Sequence, residues 1–117
     1  MNIEKLRDYC LKKKGVTEGF PFGEDTLVFK VMGKMFCLTN LTPPLRVNLK
    51  CDPEKAIELR EEHDFVRPGY HMNKKHWNTI ELDGVVKPKL IYGWIDDSYH
   101  LVVDSLTKKL KEELTRL

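Results

Sequence analysis

Thr26-Leu27-Val28-Phe29-Lys30-Val31-Met32-Gly33-Lys34-Met35-Phe36-Cys37-Leu38-Thr39-Asn40 is the stretch that decides the fold class. Leu27, Phe29 and Val31 alternate with Val28, Lys30 and Met32, the period of a strand with two distinct faces. Gly33-Lys34 is expected as a two-residue hairpin loop, with Gly at the first central position as a type II′ turn requires. That loop opposes Val31 to Phe36 and Phe29 to Leu38, so apolar residues meet on one face. Lys30 then opposes Cys37 and Val28 opposes Thr39 on the other. An antiparallel sheet is therefore expected at the centre of the chain.

Outward from the hairpin, Pro43-Pro44 breaks the chain and residues 45–50 alternate again. Leu45, Val47 and Leu49 turn inward; Arg46, Asn48 and Lys50 turn outward. Asp52 is an N-cap, with Pro53 at the first position of a helix reaching about Glu62. Ala56 and Leu59 mark its buried side, with Ile57 beside them. His76 to Leu82 forms a further strand, closed by a turn at Asp83-Gly84. Pro88 opens a helix carrying Leu90, Ile91, Trp94 and Ile95. Its stripe continues through Leu106, Leu110 and Leu114 after a kink near Ser105. Before the hairpin, Asn2 to Lys14 spaces Ile3, Leu6 and Cys10 as a helix, ended by Gly15. Gly19-Phe20-Pro21-Phe22-Gly23 is an apolar, turn-rich entry to the sheet. The expected order is α-β-β-β-α-β-α(α). This is an α+β fold in which helices cover one face of an antiparallel sheet and leave the other partly open.

A chain of 117 residues with 41% hydrophobic content is expected to form one domain spanning 1–117. No apolar run is long enough to span a bilayer, and the N-terminus lacks a signal-peptide core, so a cytoplasmic location is expected. Three cysteines without CxxC spacing point to reduced thiols. A net charge of +2 excludes a histone-like composition. Any nucleic-acid reading must rest on where the charge lies.

The charge lies in Arg67-Pro68-Gly69-Tyr70-His71-Met72-Asn73-Lys74-Lys75-His76-Trp77 and on the sheet face bearing Lys30, Lys34, Arg46 and Lys50. The first stretch combines cations, amides and rings around a Pro-Gly turn, the residue types that contact phosphates and bases. Trp77 is expected to pack on the core, whereas Tyr70, His71, Lys74, Lys75 and His76 are harder to explain by packing. The two histidines match no familiar zinc spacing. Cys51 precedes a helix N-terminus, where thiolate is favoured. Ser98 is expected to be structural. No P-loop, GxGxxG or GxSxG is present, so no cofactor and no enzymatic reaction is indicated.

The strings Phe29–Phe36, Asn48–Pro53, Pro68–Thr79 and Ser98–Val103 resemble the MmcQ/YjbR family, and the resemblance runs along essentially the whole chain. It implies a CyaY-like (frataxin-like) α-β sandwich with a double-wing DNA-binding motif, in a small bacterial protein. The wings would be the hairpin around Gly33-Lys34 and the loop from Arg67 to Trp77. Frataxin-like iron handling is not implied, because the first helix is net basic and lacks the clustered carboxylates that hard cations need. DNA is thus the expected partner of a monomer. Lys30, Lys34, Lys50, Arg67, Lys74 and Lys75 would contact phosphates, His71, Asn73 and His76 would hydrogen-bond, and Tyr70 would stack. The alternative expectation is a small-anion or protein-interaction adaptor. An enzyme using His71 or His76 as acid-base is the third.

Overall fold

A computed structural model describes residues 1–82 and 86–117. The turn expected at Asp83-Gly84 lies outside the described residues. In chain order the elements are α1 (Ile3–Leu11), β1 (Val16–Gly19), β2 (Thr26–Val31), β3 (Lys34–Asn40), β4 (Arg46–Lys50), α2 (Pro53–Glu62), β5 (Val66–Pro68), β6 (Trp77–Glu81), α3 (Pro88–Asp104) and α4 (Lys108–Thr115). The strands form one antiparallel sheet in the order β1-β2-β3-β4-β6-β5. The mixed α+β class is as expected, with two strands more than the sequence suggested. β1 is an edge strand whose central residues, Thr17 and Glu18, are both exposed. β5 is three residues long and ends in Pro68. Neither has enough alternation to be seen as a pattern.

The central hairpin is present, but its turn and register differ from expectation. The turn residues are Met32 and Gly33, not Gly33 and Lys34, with φ of 49° and 86°. Two successive positive φ values define the type I′ turn, whose twist suits a hairpin. Val31 therefore pairs with Lys34 and Lys30 with Met35. A shift between Phe29 and Lys30 then pairs Phe29 with Cys37 and Val28 with Leu38. Phe36 is the extra residue of this bulge. Two successive side chains, Phe36 and Cys37, consequently both enter the main core, which strict alternation forbids.

The bulge also explains Ser98. Its hydroxyl accepts from the Lys50 N–H at 2.9 Å and donates to the Phe36 carbonyl at 2.5 Å. A fully buried α3 side chain thus bridges β3 to β4 where the extra residue interrupts the ladder.

The helices bury one face of the sheet. Leu6 and Cys10 of α1, Ala56 and Leu59 of α2, and Ile91, Trp94, Ile95 and Val102 of α3 are buried at helical spacing. All but Ala56 share one core with Leu27, Phe29, Val31, Val47 and Leu49. α1 ends at Leu11, short of the expected Lys14. The Lys13 N–H turns back to the Cys10 carbonyl, and Gly15 adopts φ 72°. Ile57 is 53% exposed, not beside the buried stripe. Instead of kinking at Ser105, the C-terminal stripe breaks into two helices, with the Thr107 hydroxyl capping α4 at the Leu110 N–H.

Candidate functional site

On the face away from the helices, β4 and β6 set Lys50 beside Trp77, Asn48 beside Thr79 and Arg46 beside Glu81. The chain between β5 and β6 folds back over this face. Gly69 N–H donates to the Trp77 carbonyl at 2.9 Å, Met72 N–H to Gly69 at 3.3 Å, and His76 and Trp77 N–H both to Asn73. Gly69 is required by space: a Cβ there would stand 2.8 Å from Trp77 Cβ and 3.0 Å from Met72 Cβ. Met72 packs on a small second core of Val28, Leu38 and Trp77. The outer side of this loop is tied to α2 through Arg60, which donates to the Asn78 side chain and to the Trp77 and Lys74 carbonyls.

This folding pins Tyr70 and His71 at the tip of the loop. His71 has φ 58°, a conformation uncommon for a residue with a Cβ. Tyr70 is 64% exposed, and its ring lies 4.1 Å, centroid to centroid, from the His71 ring. Its backbone is held by an ordered chain of hydrogen bonds. The Tyr70 N–H donates to Thr79 Oγ1 at 2.9 Å, and Thr79 Oγ1 donates to Asn48 Oδ1 at 2.5 Å. Thr79 Oγ1 thus accepts from the Tyr70 N–H and gives its one proton to Asn48, which presents its oxygen to Thr79. Its NH₂ group, with two donors, is left without a partner among the described residues.

Opposite the loop tip, the turn between β3 and β4 is stapled by Asn40. Its amide donates to the Thr42 and Pro44 carbonyls and accepts from the Arg46 N–H at 2.6 Å. Between the two loops lies a groove of about 650 Å³, lined among others by Phe22, Leu38, Arg46, Asn48, Tyr70 and His71.

The ten candidate residues do not form one patch. Tyr70 and His71 line the groove. Lys30 lies between Met35 and Thr17 in the sheet, and Lys50 pairs with Trp77 at the far end of β4. Lys34 reaches the Ser105 carbonyl at the end of α3, at 3.5 Å. Arg67 approaches Glu81 at 3.6 Å on the β5 side. Asn73 is a turn-former: its side chain accepts from the Lys75 N–H. The Lys74 ammonium donates to the Gly69 carbonyl at 3.0 Å. Lys75 is exposed, and half-buried His76 accepts from the Cys51 N–H at 2.7 Å through its carbonyl.

Asn48, Thr79 and Phe22 join the site although they were not among the candidates. The period-two pattern already placed Asn48 and Arg46 outward. For Thr79 no signal distinguished a hydrogen-bond relay from an ordinary strand threonine.

The place of Cys51 before the α2 N-terminus, which favours thiolate, is outweighed by burial. Burial pushes its thiol up to about 11, with Asp52 and Asp97 adding to the shift. Burial, and next the neighbouring Cys10, likewise hold the Cys37 thiol well above its ordinary range. His63 packs its ring between Phe65 and Trp94. Among the described residues no three His, Cys, Asp or Glu side chains converge as metal ligands.

The fold and groove define a class of small α+β proteins: a helix-backed antiparallel sheet with a loop folded over its outer face. The family model named YjbR matches residues 11–101, and the chain belongs to the YjbR family. It is 34% identical over 118 residues to the uncharacterized protein YjbR of Escherichia coli K12, covering 100% of both chains. It is 41% identical over 91 residues to the uncharacterized protein YbdF of E. coli O157:H7, covering 77% of this chain and 75% of that one. Among solved structures it resembles a Deinococcus radiodurans protein with a DUF419 domain, with TM-score 0.90 and 43% identity, over 97% of this chain and 88% of that one. A Pseudomonas syringae protein aligns with TM-score 0.77 and 31% identity, over 86% of this chain and 98% of that one.

Proposed function

We propose that this protein binds DNA through the outer face of its sheet. In this reading the fold is a CyaY-like sandwich, and the double-wing motif is the β2–β3 hairpin with the loop from Arg67 to Trp77. The observation that carries the reading is Tyr70. The residue is 64% exposed on a backbone held by Thr79 and by the turns around it, so packing does not account for it. An exposed ring on a held backbone, in a groove that Arg46 also lines, is a stacking platform for a base. Arg46, Lys30, Lys50 and Lys75 make no ion pair among the described residues and are available to phosphates. Their spread over the face suits backbone contact more than base-edge reading, so sequence preference is expected to be modest.

Anisotropy of labelled double- and single-stranded DNA across a salt series tests this. Binding should weaken linearly in log–log form. For single strands, Lys75→Ala should reduce the slope by about 0.7 for its one lost phosphate contact. A slope unchanged in both Lys75→Ala and Lys50→Ala would remove these residues from the interface.

A second reading is favoured by the groove itself: a small anionic ligand held between Tyr70 and Arg46. Its mark would be saturable binding of one compound with a weak salt slope. A cytoplasmic monomer is the setting either reading assumes.

A further inference from the structure

We infer that the groove between the Tyr70–His71 loop tip and the β3–β4 turn is a site for a single nucleotide unit, a planar heteroaromatic ring carrying a phosphate. The choice of a nucleotide rests on the nucleic-acid reading above; the groove and its donors do not depend on it.

Three features point there. First, the size is that of a preformed ligand site: about 650 Å³, against roughly 300–1,000 Å³ for typical pockets. Second, the lining is mostly apolar, with Leu38 and Met72 below and the exposed rings of Phe22 and Tyr70 at the rim, each 64% exposed. Such a surface takes a flat ring. Third, two donors on β4 face the groove without a partner among the described residues. The hydrogen-bond relay fixes Asn48 so that its NH₂ pair has no partner among the described residues. The Arg46 guanidinium makes no ion pair among them. Ring nitrogens and carbonyls accept from an amide, and a phosphate accepts from a guanidinium. Asp25 is the carboxylate on the lining, and it suits an amino group on the ring rather than the phosphate.

The unit could be a free mononucleotide or one nucleotide of a single strand, and the experiment separates them. The protein is titrated with each common nucleoside monophosphate and followed by heteronuclear NMR. The same monophosphates then compete against a labelled single-stranded oligonucleotide. Asn48→Asp keeps the oxygen that accepts from Thr79 and removes both donors, so the loop should stay folded. Arg46→Gln is a second, exposed variant.

The expected result is that the Asn48 side-chain amide, Tyr70 and His71 shift together. Affinity should fall about tenfold or more in each variant, with the melting temperature kept. Competition with the oligonucleotide would identify a strand nucleotide as the source. Groove binding without binding of the oligonucleotide, or of a labelled duplex run beside it, would identify a free nucleotide, and the DNA reading would then fall while this inference stands. Oligonucleotide binding that leaves the groove signals unmoved and is indifferent to both variants would overturn this inference and leave the DNA reading intact. No binding of monophosphate, oligonucleotide or duplex would overturn both.

Discussion

At the scale of single residues, Ser98 and Gly69 carry structure the sequence pattern could not express. Ser98 stands in for a strand–strand hydrogen bond at the β3 bulge. Ser98→Ala should leave the Lys50 N–H and Phe36 carbonyl buried without partners. A loss of about 1–3 kcal/mol is expected in chemical denaturation. A loss below about 0.5 kcal/mol would mean the two backbone groups pair directly once the hydroxyl is gone. Gly69 is fixed by contact rather than by φ. Gly69→Ala should displace the Tyr70 loop and disturb the Trp77 environment, readable in its fluorescence.

Asp96 and Tyr9 give the chain a pH signature at the α1–α3 contact. Burial opposes ionisation of Asp96, but hydrogen bonds from Lys13 and Tyr9, with the Lys13 charge, outweigh it and hold its carboxyl below the usual range. Its contribution is therefore present above the unfolded value of about 3.9 and is lost as pH falls through the folded one. Tyr9 moves the other way. Burial first, then Asp96, raise its phenol from 10.0 to about 12. Its contribution is present below pH 10 and disappears as pH rises toward about 12. Melting temperature should fall at both extremes. Asp96→Asn should flatten the acid limb and Tyr9→Phe the alkaline limb, and unaltered limbs would remove this contact from the pH response.

At the scale of elements, what was legible followed from residues that obey one rule at a time. Asn2, Pro53 and Pro88 mark helix starts, and the alternation of Val47 and Leu49 against Arg46 and Asn48 marks β4 and its faces. The hairpin misled because Gly33 suits either of two turns. Only the bulge at Phe36, a tertiary accommodation to the core and to Ser98, selects the one with Met32 at positive φ. β5 was hidden by its length. The loop from Gly69 to His76 was conspicuous in composition, yet its division of labour was not. Asn73 and Lys74 shape the loop, Met72 anchors it, and Tyr70 and His71 project from it. Lys74→Ala should therefore loosen the loop and weaken binding through its shape. Lys75→Ala should weaken binding with the loop intact, a contrast visible in hydrogen exchange of the Gly69–Met72 amides.

At the scale of the molecule, the sheet is used asymmetrically. One face is spent on the helices and the main core. The other carries a small core under the Tyr70 loop and, beside it, a groove edged by rings and donors. No helix among the described residues is long and apolar enough to cross a membrane. Family membership was legible in the sequence strings because they are long and specific. The groove was not, because its walls come from four separated parts of the chain, residues 22–26, 38–48, 70–72 and Thr79. The most direct measurement is anisotropy of a labelled single-stranded oligonucleotide at low salt, comparing the unaltered protein with Tyr70→Ala. Tyr70 makes no side-chain hydrogen bond among the described residues, so the variant should fold normally. Loss of one base-stacking platform should weaken binding by about 1–3 kcal/mol, roughly fivefold to 150-fold. Equal affinity of the two proteins, or no binding by either, would contradict the assignment of the outer sheet face to DNA.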